Sequence, residues 1–368
     1  MPLDSQEVSR LVRPHLRGMP AYEPILPYEV LSEQLGLPID ALIKLDANEN
    51  PYGTIPAIQK AFPQLSHLHI YPDPESRLLR QKLSLFHNVP IENLLAGAGA
   101  DELIDLILRV FVDPGDPIIN CPPTFGMYAF DAQLQGAQVI NIPRKPDFSL
   151  DLPAIKEAIA KHRPKILFLA SPNNPDGSLT PRHEIEQILD QALILVLDEA
   201  YNEFSGPNTS LVQLVSQYNN LVVLRTFSKW AGLAGLRVGY GAFPTALMPF
   251  FWKCKQPYNV SVTAAAAACI ALDHHQELAE LGQKIIQERE RLIPLLTEIA
   301  WLQPYPSKTN FILCKVLGKD ALQLKTKLAQ AGILVRHFNK PGLQDHIRIS
   351  VGTPGQNDSL INFLRSME

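Results

Sequence analysis

The sequence predicts an α/β fold: a large domain built on a mainly parallel, mixed sheet flanked by helices, followed by a smaller α+β domain. Between about residues 75 and 197, segments with helical periodicity alternate with short apolar segments, which is the order expected for a parallel sheet with helical crossovers. The apolar segments are continuous, as in Ile194–Leu197, and continuous runs are typical of strands covered on both faces. After about residue 260 the alternation gives way to one long helical stretch followed by shorter strands and helices.

The elements of the large domain follow one another in a regular order. Helical spacing of apolar side chains predicts helices at 75–87, 101–111, 126–135, 151–162 and 182–191. Short apolar segments predict strands at 93–96, 117–120, 138–142, 165–170, 192–197 and 221–224. Because ligands of such sheets bind beyond the carboxyl ends of the strands, the residues after each strand are the first candidates for a site.

The two ends of the chain differ from this pattern. Residues 1–30 carry prolines and arginines with weak periodicity, and we expect an N-terminal arm there. We assign residues 31–259 to the large domain and residues 260–368 to the smaller domain, which packs with the N-terminal segment. In the smaller domain we predict helices at 261–299 (with a break near His274), 321–331 and 356–367, and strands at 310–316, 333–338 and 347–351.

Composition and charge argue against several classes of function. The net charge is −4 with acidic and basic residues interspersed, which disfavours a nucleic-acid or membrane partner. The longest uncharged apolar run, Val262–Leu272, is too short to cross a bilayer. The N-terminus lacks the apolar core of a signal peptide and the four cysteines are scattered, so we expect a soluble, cytoplasmic protein. The histidine pairs lack metal-ligand spacing, and we expect no metal site.

Lys229 lies in the most informative segment of the chain, directly after the apolar strand 221–224. A lysine desolvated beside another cation has a lowered pKa and can form a Schiff base with a carbonyl. Ser228 and Arg237, on either side, are suitable partners for a phosphate. The combination indicates pyridoxal 5′-phosphate (PLP), an aldehyde that carries a phosphate. Solvated surface lysines are much commoner, so this interpretation depends on the rest of the chain.

A glycine-rich turn, Gly97–Glu102, precedes the helix 101–111. Small residues and free amides at a helix N-terminus suit a phosphate, although such turns also occur for steric reasons. Gly97-x-Gly99 also resembles the start of a dinucleotide-binding fingerprint. Glu102 replaces the third glycine of that fingerprint, and its carboxylate would repel a pyrophosphate, so a dinucleotide oxidoreductase is the lesser alternative.

Polar residues also follow the next strands. Asn173, in Ser171–Gly177, can donate to a phenolic oxygen, although Asn and Pro form turns in any protein. Asp198 ends a buried strand and needs a cation or several donors, such as a protonated pyridine nitrogen; a helix N-cap is the alternative. Phe125 is placed to stack on a planar cofactor or to join the core.

Two arginines, Arg336 and Arg348, lie within predicted strands of the smaller domain. An arginine flanked by apolar strand residues either extends outward to solvent or binds an anion. Both are therefore candidates for binding a charged substrate.

Taken in this order, the motifs resemble the fold-type I PLP-dependent aminotransferases from about residue 22 to residue 351. Three segments are similar to the histidinol-phosphate aminotransferases in particular: Leu45–Pro51, Cys121–Tyr128 and Phe227–Tyr240. Two departures lie nearby, since Asp176 replaces a common Thr and Trp230-Ala231 replaces a frequent Ala-Phe pair. Neither changes a proposed contact group.

The resemblance implies a role for each matching residue. Lys229 would form the Schiff base and later move a proton, and Asp198 would pair with the pyridine nitrogen. Asn173 and Tyr201 would hold the phenolic oxygen, and Phe125 would stack on the ring. The phosphate contacts would be Ala100, Asp101, Ser228 and Arg237, with Tyr71 reaching in from the other subunit of a homodimer. Tyr22, Arg336 and Arg348 would bind the substrate's phosphate or carboxylate.

The implied reaction is amino transfer between L-histidinol phosphate and 2-oxoglutarate in histidine biosynthesis, giving imidazole-acetol phosphate and glutamate. Two alternatives share the fold: a PLP-dependent phosphothreonine-type decarboxylase and an aminotransferase of aromatic amino acids. A non-catalytic binding module is a further alternative, but it would not need Lys229, Asp198 and Tyr201 together.

Overall fold

The computed structural model describes residues 4–22 and 24–367. Within these residues the α-helices are α1 Ser5–Arg10, α2 Tyr28–Leu35, α3 Pro56–Ala61, α4 Arg77–His87, α5 Ala100–Phe111, α6 Met127–Leu134, α7 Leu152–His162, α8 Arg182–Leu189, α9 Met248–Cys254, α10 Val262–Asp273, α11 His275–Thr297, α12 Ala321–Gln330 and α13 Pro354–Arg365. The strands are β1 Ile43–Leu45, β2 Leu94–Gly97, β3 Pro117–Asn120, β4 Gln138–Asn141, β5 Ile166–Ala170, β6 Ile194–Asp198, β7 Leu221–Thr226, β8 Gly239–Ala242, β9 Leu302–Pro304, β10 Phe311–Val316, β11 Ile333–His337 and β12 His346–Ser350.

The larger sheet has seven strands in the order β2-β8-β7-β6-β5-β3-β4. Strands β3 to β7 pair in parallel, and only β8 runs antiparallel to its neighbours β7 and β2. The central strands β5, β6 and β7 are almost completely buried, because helices cover both faces. This mixed, mainly parallel sheet confirms the predicted fold class.

The strand β8 was not predicted, because its sequence Gly-Tyr-Gly-Ala carries no apolar run. Its glycines have a packing reason. A Cβ on Gly241 would lie 2.6 Å from the Phe243 ring, and one on Gly239 would lie 2.6 Å from the backbone nitrogen of Ala100. Close approach of neighbouring groups therefore selects glycine at these positions, and propensity alone does not reveal the strand.

The smaller sheet has five strands in the order β1-β11-β12-β10-β9. Strand β1, near the start of the chain, pairs in parallel with β11, so that Ile43 lies opposite Ile333. The N-terminal segment therefore contributes an edge strand to a sheet whose other strands all follow residue 301. Residues 43–45 lie with the smaller sheet although the predicted large domain includes them.

The apolar core of the larger sheet has two clusters, one on each face, and the smaller sheet has a core of its own. One cluster of the larger sheet includes Val260, Leu272 and Ile285, whereas Leu292 and Leu296, further along α11, belong to the core of the smaller sheet. One helix thus takes part in both cores. We propose that the limit between the domains lies within α11 rather than near residue 260. The predicted break near His274 coincides with the junction of α10 and α11.

Candidate active site

A cavity lies at the carboxyl ends of the strands of the larger sheet. The residues that follow β2, β3, β5, β6 and β7 form much of its wall. Predicted site residues in the lining are Ala100, Asp101, Phe125, Asp198, Tyr201, Ser228, Lys229 and Arg237. Tyr128, Asn174 and Thr226 also line it, and the sequence interpretation gave them no role.

One end of the cavity is formed by the start of α5 and by Arg237. The first amides of a helix have no intrahelical acceptor, so the N–H groups of Ala100 and Asp101 are available to an anion. Gly99 has φ +83°, and a Cβ there would lie 2.6 Å from Arg237 Nη2. Arg237 Nη2 also donates to Asp101 Oδ2 at 2.7 Å. Backbone amides and a guanidinium therefore form a cradle that only glycine at position 99 leaves open.

Two hydroxyls border the same part of the cavity. The Thr226 hydroxyl donates to Ser228 Oγ at 2.9 Å and accepts from the Ser228 backbone N–H at 3.1 Å. Both residues are buried and line the cavity. The end of β7 thus orients Ser228 toward the start of α5, where an anion would receive a further hydrogen bond.

Lys229 follows these hydroxyls and lies at the centre of the cavity wall. Its Nζ donates to the main-chain oxygen of Ala47 at 3.3 Å. The pKa of Lys229 is lowered from 10.5 to about 8, chiefly by burial and in addition by the nearby Arg348 guanidinium. The lowered pKa increases the fraction of neutral amine near neutral pH, and the neutral amine is the form that acts as a nucleophile or a base.

Asp198 ends β6 on the cavity floor. Its Oδ2 accepts from the Tyr128 hydroxyl at 2.7 Å, and its Oδ1 accepts from the Ala200 backbone N–H at 3.0 Å. Burial raises the pKa of Asp198 to about 6, although these two donors act in the opposite direction. A carboxylate so deeply buried has a strong preference for a cationic neighbour.

The aromatic residues frame the cavity from two sides. Phe125 meets Tyr128 edge to face with 5.5 Å between ring centroids, and Tyr128 stacks on Phe168 at 5.1 Å. Tyr201 packs edge to face on Phe311 at 5.1 Å. The motif Cys121–Tyr128 carried the signal for Tyr128, which the sequence interpretation left without a role.

The structure places Asn174, and not the predicted Asn173, in the cavity lining. The Asn173 side-chain amide donates to the main-chain oxygen of Pro123 at 3.0 Å and to Asp176, and Asn173 is fully buried away from the cavity. Asn174 lines the cavity instead. The turn after β5 uses the first asparagine to hold its own loops together, so we transfer the proposed cofactor contact to Asn174.

The two arginines lie at directly paired positions of the antiparallel strands β11 and β12. Arg348 is buried, and its Nη1 donates to Asn174 Oδ1 at 2.5 Å. Burial lowers the pKa of Arg348 to about 10, and Arg336 contributes in the same direction. Within the described residues Arg336 contacts the Phe338 ring, at 5.8 Å, but no carboxylate. The pair is a site of excess positive charge beside the cavity.

The two remaining predicted residues, Tyr22 and Tyr71, lie outside the cavity lining. Tyr22 is half exposed, rests edge-on against Phe130 at 5.9 Å, and is close enough to influence the pKa of Arg348. Tyr71 is 79% exposed and stacks on Tyr258 at 4.6 Å. Tyr71 therefore does not reach the cavity of its own chain.

Comparison with known proteins agrees with this geometry. Residues 40–364 match the family model described as aminotransferase class I and II. The chain belongs to this family. Within it, the chain is 51% identical to the histidinol-phosphate aminotransferase, chloroplastic, of Nicotiana tabacum, covering 98% of this chain and 89% of the relative.

A bacterial relative and a crystal structure extend the comparison. The histidinol-phosphate aminotransferase of Roseiflexus castenholzii is 47% identical, over 98% of this chain and 99% of the relative. The crystal structure of histidinol-phosphate aminotransferase from Sinorhizobium meliloti in complex with pyridoxal-5′-phosphate has a TM-score of 0.86 at 28% identity, covering 97% of this chain and 98% of that chain. These relatives do not favour the decarboxylase and aromatic-aminotransferase alternatives.

The aminotransferase uses PLP, and the cavity fits that cofactor. The cradle at Gly99 and Arg237 suits its phosphate, the buried carboxylate of Asp198 suits its pyridine nitrogen, and Lys229 suits its aldehyde. When bound, PLP supplies an electron sink that stabilises negative charge developing on the substrate's amino-bearing carbon. The family match therefore does not favour the dinucleotide oxidoreductase, the lesser alternative. No helix in the described part of the chain is long and apolar enough to span a membrane.

Proposed function

We propose that this aminotransferase transfers the amino group between L-histidinol phosphate and 2-oxoglutarate in histidine biosynthesis. The observation that carries the proposal is the pairing of Arg336 with Arg348 across β11 and β12 in a chain 51% identical to a histidinol-phosphate aminotransferase. Two like charges at directly opposed strand positions destabilise a sheet unless an anion lies between or above them. The arginines therefore favour a substrate that brings its own negative charge.

The arginine pair accounts for the use of two substrates. Histidinol phosphate carries a phosphate and no carboxylate, whereas glutamate carries only carboxylates. Guanidinium groups bind both anions through paired N–H donors. Because Arg348 is anchored to Asn174 and Arg336 has no carboxylate partner among the described residues, we expect Arg348 to be the fixed member and Arg336 to adapt to the second anion.

The other predicted side chains hold the cofactor and move the proton. Lys229, whose pKa is lowered to about 8 by burial, accepts a proton from the substrate's amino-bearing carbon and returns it during the exchange. Asp198 keeps the pyridine nitrogen cationic, while Asn174 and Tyr201 donate to the phenolic oxygen. Phe125 covers one face of the ring, and the wall around it excludes water.

We further propose that the enzyme is a cytoplasmic homodimer in which Tyr71 completes the neighbouring site. The exposure of Tyr71 and of the apolar residues Leu68 and Ile70 beside it supports this assembly. A tyrosine hydroxyl that is remote from the cavity of its own chain is available to the phosphate of the neighbouring chain's cofactor. The two-fold arrangement usual for such dimers would place two identical sites across one interface.

The visible absorption of the purified protein loaded with PLP tests the reaction. Adding L-histidinol phosphate without an acceptor should bleach the band of the lysine-bound cofactor, and adding 2-oxoglutarate should restore it. Glutamate alone should also bleach the band, since it is the other amino donor.

Two results would contradict this proposal. A band that glutamate bleaches but histidinol phosphate does not would assign the enzyme to another amino donor. Release of carbon dioxide from O-phosphothreonine, with no bleaching by either donor, would favour the decarboxylase.

A further inference from the structure

The segment Asp46–Asn48 contacts three functional side chains in succession. The main-chain oxygens of its first two residues accept from Arg348 Nη2 at 2.8 Å and from Lys229 Nζ at 3.3 Å. The side-chain amide of its third residue donates to the Tyr201 hydroxyl at 3.0 Å. A short segment that follows the edge strand β1 therefore fixes groups that come from β12, from β7 and from the loop after β6.

Asn48 is held in one orientation by Ser350. The Ser350 hydroxyl accepts from the Asn48 backbone N–H at 2.8 Å and donates to Asn48 Oδ1 at 3.1 Å. Because Oδ1 is committed to this donor, the amide nitrogen must face Tyr201. The Asn48 main-chain oxygen accepts from Asn310 Nδ2 at 2.9 Å, so all polar groups of this buried residue have partners.

This arrangement determines where the Tyr201 proton points. The phenolic oxygen accepts from Asn48, and within the described residues no acceptor for its own proton is found. Tyr201 lines the cavity, and Phe311 holds its ring edge to face. The hydroxyl is therefore a donor directed into the cavity.

We propose that Asn48 is a positioning residue of the aminotransferase: by donating to Tyr201 it makes that hydroxyl a hydrogen-bond donor to the phenolic oxygen of the cofactor. The proposal rests on the cofactor contact proposed for Tyr201. The next asparagine along the chain, Asn50, donates to the main-chain oxygen of Trp230 and not to Tyr201, so the role belongs to position 48.

The backbone at this position explains why the residue is asparagine. Asn48 has φ +56°, a left-handed conformation that Asn, Asp and Gly adopt most readily. Of these three residues, only Asn has an amide that can accept from Ser350 and donate to Tyr201 at once. Asp keeps the shape and the backbone preference but replaces the donor with an acceptor. Asn48→Asp is therefore the sharpest single change.

The test is the pH midpoint of the visible absorption of the PLP-loaded protein, measured without substrate. In Asn48→Asp the Tyr201 proton should turn toward the new carboxylate, and the cofactor's phenolic oxygen should lose a donor. With one donor fewer, the negative charge on the phenolic oxygen is less stabilised, so the lysine-bound cofactor loses its proton at a higher pH. The midpoint should therefore rise by about one pH unit, the scale of one hydrogen bond to a charged group. Asn48→Gly, which removes the donor without adding charge, should move the midpoint in the same direction.

A double-mutant cycle separates positioning from general damage. In the Tyr201→Phe background the hydroxyl is gone, so adding Asn48→Asp should cause little further shift. Asn88→Asp is the matched control, because Asn88 shares the left-handed backbone with φ +52° but is exposed and outside the cavity lining. That control should keep the midpoint of the unmodified protein.

Equal shifts from Asn48→Asp in the presence and absence of the Tyr201 hydroxyl would overturn the proposal, as would an unchanged midpoint in both Asn48 variants. These outcomes concern Asn48 alone, since the proposed reaction is tested separately by bleaching with histidinol phosphate. If Tyr201→Phe itself leaves the midpoint unchanged, the proposed cofactor contact of Tyr201 fails and Asn48 loses its role with it.

Discussion

At the scale of single residues, burial sets the chemistry of the site. Lys229 and Asp198 have opposite charges, yet each is shifted toward its neutral form because charged groups are poorly solvated in the cavity. Both groups are buried, and the hydrogen bonds that each makes do not offset the loss of solvation. In the proposed arrangement PLP would bring a cation to the carboxylate and an aldehyde to the amine, and would relieve both unfavourable interactions.

The lysine's lowered pKa predicts how stability depends on pH. The unfolded chain binds a proton at Lys229 with the ordinary pKa of 10.5, but the folded chain does so only below about 8. Between these values the unfolded state holds more protons, so stability rises with pH, and below pH 8 the full penalty is present. Without cofactor, Lys229→Met should therefore be more stable than the unmodified protein at pH 7, and this advantage should shrink toward pH 10.

Urea unfolding of both proteins in the absence of PLP measures this difference. Ionisable groups other than Lys229 titrate alike in both proteins, so their contributions cancel in the difference between the two unfolding free energies. A constant difference across the pH range would show that Lys229 has the same pKa in the folded and unfolded states, which would contradict the shift.

Replacing either of the two arginines proposed to bind the substrate should weaken substrate binding, and the two losses should differ in size. Arg348→Ala should weaken binding of both amino donors by about 2–5 kcal/mol, because a desolvated anion loses its buried partner. Arg336→Ala, at the half-buried paired position, is the matched comparison and should cost less. Steady-state kinetics with histidinol phosphate and glutamate report the effect as a rise in KM, and an unchanged KM for both donors in Arg348→Ala would remove that residue from the substrate site.

At the scale of elements, site residues at strand ends are easier to predict from the sequence than residues brought together by long-range strand pairing. Asp198 is the last residue of its strand, and Lys229 and Ala100 each come shortly after a strand of the same sheet; parallel strands bring such residues to a common edge. Predicting them required only the order of strands. Asn48 and Ser350 are 302 residues apart and meet through pairing within the smaller sheet, and no local pattern announces that pairing. The choice between Asn173 and Asn174 has a similar cause, because adjacent turn residues differ only in which loop they face.

The turn after β5 predicts opposite results for its two asparagines. Asn174→Asp should weaken turnover and cofactor retention while leaving the free energy of unfolding nearly unchanged, since it keeps the oxygen that accepts from Arg348 and loses the amide donor at the cavity wall. Asn173→Ala should lower the unfolding free energy by about 1–3 kcal/mol, because buried partners at Pro123 and Asp176 lose their donor. Paired measurements of unfolding and of PLP dissociation distinguish the two, and the reverse pattern would restore the original choice of Asn173.

At the scale of the whole molecule, the exposed Tyr71 allows the proposed homodimer to be tested through its activity. If Tyr71 serves the neighbouring site, each site takes Lys229 from one chain and Tyr71 from the other. Lys229→Ala in one chain and Tyr71→Ala in its partner then fall in the same site. In a mixed dimer one site carries both changes and the other carries neither, so unfolding and refolding the two inactive variants together should restore activity. Each variant refolded alone is the control. Failure of the mixture to regain activity, with mixed dimers shown to form, would place Tyr71 outside the site.

The pairing of β1 with β11 also determines how much of the chain must be synthesised before the site can form. Residues 46–48 leave β1 and reach the cavity, and their position depends on strands that end at residue 350. A growing chain on the ribosome can order its seven-stranded sheet earlier, since β2 to β8 are complete by residue 242. The groups that this segment holds take their final places only after residue 350 has emerged. Capture of the cofactor in its finished geometry would then report that the smaller sheet has been assembled.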